Sequence, residues 1–242
     1  MSPARRVILV VAVLAVATSA VGLGRWQLRR LSARRASNAV LLAAGRLPPL
    51  ELTKADPGRT PIDSGRRVVA HGSFLPDQQI VLRGRVQNDG PGLQIVTPFV
   101  LDSGGEIWVV RGFVASPDAV TPPDTIPAPA AGNVVISGLA LGIPVTTDSG
   151  VPLLHNGQAT WKRLDRATLA ARRPGSLPVY LLLSGGVDGP GRLAAVPESK
   201  LNDGPHLSYA LQWFGIALAV VTFGVIALWR DGRASPQRPE AP

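Results

Sequence analysis

The sequence predicts a membrane protein in which two transmembrane α-helices, N- and C-terminal, flank a mainly antiparallel β domain (β-barrel- or sandwich-like, α+β) on the extracytoplasmic side. Three observations carry this. Val7–Gly24 contains no charged residue, and Leu207–Trp229 is a second, longer charge-free stretch. Between them, short apolar segments are separated by Gly, Pro, Asn and Asp, the pattern of strands joined by turns.

The first stretch is bounded by Arg6 and Arg25, and its only polar residues are Thr18 and Ser19. Its length lies at the lower edge of the ~17–25 residues that cross a bilayer as a helix. A signal peptide would share the basic start and the apolar core, with Thr18-Ser19-Ala20 as a cleavage site. The apolar core is long for that, and Trp26 follows where an interfacial aromatic anchor belongs. We therefore read residues 1–6 as a cytoplasmic tail and 7–24 as an uncleaved transmembrane helix.

The second span, 207–229, ends in Trp229-Arg230, an aromatic anchor followed by basic residues. Residues 230–242 then read as a disordered, Pro-rich cytoplasmic tail. Arg230, Arg233 and Arg238 follow this span and only Lys200 shortly precedes it, which places the C-terminus in the cytoplasm. Two spans put the N-terminus there too and residues 25–206 outside. The Arg25–Arg35 cluster weighs the other way, but long loops are translocated largely regardless of charge.

The formal net charge is +9, carried almost wholly by Arg. A basic balance can serve nucleic acid or an anionic membrane surface. Here the Arg flank the apolar ends, so the bilayer is the partner and nucleic acid is not. The wealth of Ala, Gly, Pro, Val and Arg suggests a GC-rich genome and hence a bacterial plasma membrane, crossed twice.

Residues 25–44 lack Gly and Pro and read as the first helix running on past the membrane, its Arg snorkelling to headgroups, until Pro48-Pro49 stops it. Residues 66–195 are β-rich. Strand candidates are Arg66–Phe74, Gln79–Gln87, Leu93–Leu101, Glu106–Ala115, Val134–Leu141, Ala159–Leu164 and Val179–Leu183. Asn88–Gly92 and Asp102–Gly105 are hairpin turns, and Pro117–Pro129 is a loop. Leu164–Arg173 is a short helix with Asp165 as N-cap and Pro174-Gly175 as its stop.

Most catalytic signatures are absent. There is no G-x-S-x-G elbow, Walker loop, H-E-x-x-H or carboxylate cluster, so no enzyme is expected. The chain has no cysteine, which excludes disulfides, thiolate metal sites and cysteine nucleophiles. Its three histidines, His71, His155 and His206, are too scattered for a His-built metal site. The informative stretch is the junction Asn202–Phe214. Pro205 suits a helix start, and His206, Tyr209, Gln212 and Trp213 recur at helical spacing on one face. Tyr and Trp are expected at a membrane interface; a His and an intramembrane Gln on the same face are less so. The bland alternative is an interfacial His that solvates the helix end.

At this point the chain resembles the Surf1/Shy1 family. Leu23-Gly24-Arg25-Trp26-Gln27-Leu28-Arg29 looks like its opening signature, and Gly72-Ser73-Phe74, Gly92–Pro98 and Trp108–Val114 continue it. Pro205–Phe214 closes it, with the similarity covering most of residues 20–230. The resemblance implies an assembly factor for cytochrome c oxidase that binds or presents haem a, transiently, as the catalytic subunit matures. It places a haem-associated histidine in the motif matched by His206, which becomes the candidate ligand to haem iron. Many relatives have Asn beside this His, whereas here Asp203-Gly204-Pro205 separate it from Asn202.

Around that ligand, Tyr209, Trp213 and Trp26 are candidates to pack on the macrocycle, and Arg25 or Arg29 to neutralise propionates, against plain snorkelling as the alternative. Arg111, ending an apolar strand, is assigned a structural role. The implied partners are the oxidase catalytic subunit, the haem a biosynthesis machinery and the bilayer. The competing readings are a scaffold that binds oxidase subunits without haem, and a membrane-tethered exported enzyme or ligand-binding module.

Overall fold

The computed structural model describes residues 1–52, 62–146, 151–155, 157–184 and 193–233. The tail from 234 on, with Arg238, lies outside them, as does Lys54. The chain divides into two compact units, Met1–Ala39 with Leu201–Pro242, and Val40–Lys200.

The first unit is a pair of long helices. Helix α1 runs Pro3–Gly45 and α3 runs His206–Arg233. Both are long and apolar enough to cross a bilayer. They pack antiparallel. Arg6 Nε donates to Asp231 Oδ2 at 2.6 Å at one end, and Arg35 pairs with Asp203 at 2.8 Å at the other. The packed faces are made of small residues: Ala17, Ala20 and Gly24 on α1, and Ala210, Ala217 and Gly224 on α3. A Cβ on Gly24 would meet the Phe214 ring at 2.6 Å, and one on Gly224 would meet Val13 Cγ2 at 2.8 Å. The missing side chains therefore let larger neighbours in, as small residues do where helices pack in lipid. The large apolar residues turn outward instead; Leu218 is 69% and Phe223 71% exposed. Pro205 stands just before α3, and its carbonyl accepts the Tyr209 N–H at 3.1 Å, so it opens the helix from outside the first turn.

The second unit is built on a nine-stranded sheet: β1 Leu50–Glu51, β2 Arg67–Phe74, β3 Ile80–Gln87, β4 Gly90–Leu101, β5 Glu106–Ala115, β6 Val134–Gly142, β7 Leu153–His155, β8 Gln158–Trp161 and β9 Ser176–Leu183. The order is β1-β2-β6-β9-β5-β4-β3-β8-β7, and an extra β2–β4 pairing closes β2, β6, β9, β5 and β4 into a small barrel. Antiparallel ladders predominate, with β1–β2, β3–β8 and β5–β9 parallel.

Closure depends on β4 changing partners along one edge. It pairs with β3 up to Val96 and with β2 from Phe99. Pro98 sits at the changeover; its carbonyl accepts the Leu75 N–H at 2.9 Å, and the N–H it lacks would point into the same gap. Gly72, opposite Leu101, closes the seam, where a Cβ would lie 1.9 Å from the Val100 carbonyl oxygen. Alternate residues of the ring strands, among them Ala70, Phe99, Ile107, Ile136 and Leu181, fill the interior. Residues of the opposite parity, among them Trp108, Val110 and Leu182, form a second core with Leu164 and Leu169. Strand β5 is thus buried on both faces, which is why Ile107–Val110 reads as a continuous apolar run.

Helix α2 spans Arg166–Arg172, shorter than expected, and Asp165 caps it by accepting the Thr168 N–H at 2.9 Å. The turn expected over Asn88–Gly92 is only Asn88-Asp89, both at positive φ (50° and 60°) as a two-residue hairpin requires, and Gly90–Gly92 already belong to β4. Strands β1 and β7 escape sequence reading because they span two and three residues. Arg111 is buried and donates from Nη2 to the Pro127 carbonyl at 2.7 Å, tying the Pro-rich loop to the barrel.

Candidate functional site

The site lies within the helical unit, where α3 begins. His206 Nδ1 is 2.9 Å from Gln27 Oε1 on α1. An amide oxygen accepts only, so Nδ1 is the donor in this contact and Nε2 is not used by it. Nε2 makes no hydrogen bond among the described residues. It lies toward Gly204, where a Cβ would come within 3.6 Å of it. Gly204 also has φ +67°, so a side chain there would be both strained and in the way.

The loop before α3 is fixed to α1 at three points. The Asn202 carbonyl accepts from Asn38 Nδ2 at 3.0 Å and from Arg34 Nε at 3.3 Å, and Arg35 Nε donates to Asp203 at 2.8 Å. The exposed Arg35–Asp203 pair is worth at most ~1 kcal/mol. Together with the buried Asn38 contact, it fixes where the helix starts and hence where the imidazole stands.

The expected site residues separate into groups. Trp213, two turns along from His206, lines an apolar groove of about 270 Å³ with Ser19, Ala20, Leu23 and Ile216. Tyr209 is exposed on the same face (46%). Trp26 also points outward (47%) and is covered by Arg30, whose guanidinium lies 5.2 Å from the ring centroid. Arg25 is exposed as well, and it is Arg34 and Arg35, not Arg25 or Arg29, that bind the loop. Sequence reasoning missed Gln27 and Gly204 as members of the site. The signal for Gln27 was present, since it stands in the same short stretch as Trp26, but its partner is 179 residues away.

A family model described as the SURF1 family matches residues 14–218. The chain belongs to the SURF1 family. That family is generally linked to cytochrome c oxidase assembly. A SURF1-like protein of Monosiga brevicollis is 30% identical over 244 residues, covering 96% of this chain and 92% of the relative. An uncharacterized SURF1-like protein of Mycobacterium tuberculosis is 28% identical over 209 residues (85% and 73%), and a SURF1-like protein of Rickettsia felis 26% over 223 (88% and 94%). The SURF1 match takes in both the Gln27 and the His206 segments as well as the whole barrel.

Proposed function

We propose that this chain is a membrane-anchored assembly factor for cytochrome c oxidase, not an enzyme, and that it holds haem a at His206 while the catalytic subunit matures. The observation that carries the reading is the Gln27–His206 hydrogen bond, which orients the ring through Nδ1 and leaves Nε2 outside it, as a coordinating imidazole requires. The donor set fits a macrocycle better than a bare ion. Among the described residues no group of three His, Cys, Asp or Glu could hold a metal, whereas haem iron brings four nitrogens and needs only an axial donor.

Bound haem a would bring the redox-active iron that the oxidase needs. The residues of this chain position and shield. Gln27 orients the imidazole, the Asn202–Asp203 clamp sets its height, and Gly204 keeps the Nε2 side clear. Tyr209, Trp213 and Trp26 offer aromatic surface, and Arg25 offers charge for a propionate. The outward apolar faces of α1 and α3 suit a bilayer as their solvent, and the packing of Val13 and Gly24 on α3 supports a retained first helix. In this reading both termini are cytoplasmic, the barrel is extracytoplasmic in a bacterial plasma membrane, and the partners are the oxidase catalytic subunit and the machinery that makes haem a.

The test is purification from a host that makes haem a, followed by an absorption spectrum. We expect a haem a band in the parent chain and its loss in His206→Ala. A band unchanged in that variant would remove iron from His206 and leave the haem-free scaffold as the better account.

A further inference from the structure

The barrel unit contains a pocket of about 440 Å³, within the ~300–1,000 Å³ typical of small-ligand sites. Its apolar wall includes Leu82, Val110 and Leu182, from β3, β5 and β9. Its polar lining is cationic or neutral: Arg85, Arg163, Tyr180 and Thr146 take part, and among the described residues no acidic one lines it. A shallower depression alongside shares Arg85 and Arg163 and adds Arg83 and Lys162, again with no acid among the described residues.

The polar groups are incompletely used. Arg85 spends Nη2 on the Lys162 carbonyl at 3.1 Å, but its Nε is buried and meets no acceptor among the described residues. Thr146 Oγ1 is in the same condition. Buried polar atoms left unpaired are costly, so two around one pocket mark a place where an acceptor is wanted. The nearby carboxylate of Asp165 is committed to Thr168 and to the Thr146 N–H. Burial pushes the Tyr180 phenol up, so it remains an O–H donor beside Arg85.

We propose that this pocket binds a carboxylate carried on an apolar body, with Arg85 and Arg163 on the carboxylate and Leu82, Val110 and Leu182 on the body. A polyanion such as nucleic acid would match the cations but not the apolar wall. The same chemistry is presented by a free aryl-alkyl acid and by the C-terminus of a peptide ending in an apolar residue. The reading stands apart from haem handling, since it uses only residues of the barrel unit.

The test is isothermal titration of the full chain in detergent with 4-phenylbutyrate, its amide, and N-acetyl-leucyl-phenylalanine. We expect saturable binding of the acid, at least tenfold weaker binding of the amide, and at least tenfold loss in Arg85→Gln. Arg163 is exposed and makes no hydrogen bond among the described residues, so Arg163→Gln tests the same point with least disturbance of the fold and should weaken binding several-fold. Tighter binding of the dipeptide than of 4-phenylbutyrate would identify a peptide terminus as the source, and the reverse a free acid. Equal binding of acid and amide, or unchanged binding in both Arg variants, would overturn the proposal, as would no saturable binding of either acid.

Discussion

In the barrel unit the large side chains point inward: Phe99, Ile107 and Trp108 are wholly buried, and glycines stand where strands approach closely, as at Gly72. In the helical unit the arrangement is reversed. Ala20, Gly24, Ala210 and Ala217 face the partner helix, and most of the large apolar residues, Leu218 and Phe223 among them, face away. Water drives a unit to hide its large residues, as the barrel does; the reversed arrangement of the helices is the one expected of a pair packed in lipid. The polar groups follow the same division. In the barrel they serve the fold, as Arg111 does for the Pro-rich loop. In the helices they gather at the two ends, Arg6 with Asp231 at one, and where α3 begins they hold one imidazole.

The sharpest break of this comparison is a pair of truncations. Phe99→Ala, inside the barrel, should cost about 3–5 kcal/mol of barrel stability. Leu218→Ala on the outer face of α3 should leave the barrel unchanged. Denaturant unfolding in detergent, followed by circular dichroism in the β region, measures both. Similar losses for the two would mean that the units do not bury apolar surface differently.

The next test acts on the helix pairing. A Cβ on Gly224 would stand 3.5 Å from Val13 Cβ, at the short end of disulfide geometry, and the chain has no cysteine to interfere. Val13→Cys with Gly224→Cys should therefore cross-link within one chain under mild oxidant. Adding Gly24→Leu, which drives a side chain into the Phe214 ring, should slow that cross-link several-fold while leaving barrel stability intact. An unaffected rate would show that Gly24 is not where the helices meet.

Smaller again is the effect of Gln27→Leu. Removing the acceptor from His206 Nδ1 frees the ring, and orienting partners of this kind typically contribute 10–100-fold to metal affinity. On the proposed reading haem a should still bind, about tenfold more weakly and with a shifted band, whereas His206→Ala should abolish binding. Gln27→Glu, which keeps an acceptor, should retain most of the affinity. Equal affinities in Gln27→Leu and the parent would leave Gln27 a helix-packing residue only.

The two units were unequally legible in the sequence. The apolar helices follow from charge-free runs, and Glu106–Ala115 was placed to the residue because both its faces are apolar and turns bound it. Barrel closure was not legible. It rests on the edge of β4 switching between β3 and β2, a long-range event whose local marks, Pro98 and Gly72, look like ordinary strand interruptions. The parallel β5–β9 pairing is hidden for the same reason, since nothing local sets the direction of a partner so far along the chain. At the site, His206 and its helical neighbours could be read from spacing. Gln27 could not, because helix periodicity gives the face of a residue but not which helix will meet it. The family resemblance supplied a candidate role for His206; the geometry shows what holds its ring.

The smallest expected effect concerns pH and belongs to the barrel unit alone. Hydrogen bonds from Thr121, Val120 and Ser116 hold the Asp118 carboxyl well below the usual carboxylate range, and those from Thr168 and Thr146 lower Asp165. A carboxylate whose pKa is depressed by folding stabilises the fold fully above its unfolded value, near 4, and loses that contribution as pH falls toward the folded value. Barrel stability should therefore be flat from pH 7 to about 5 and decline below about 4, as these two groups take up protons. In Asp118→Asn and Asp165→Asn the decline should be shallower, because each variant has already given up one of the depressed carboxylates. The helical unit offers an internal control: the Val13/Gly224 cross-link should form equally well at pH 7 and at pH 5 once the protein is returned to a common pH for oxidation. An acid decline of the same steepness in parent and variants would show that other groups set the pH dependence, and would separate the Asp118 turn and the α2 cap from barrel stability.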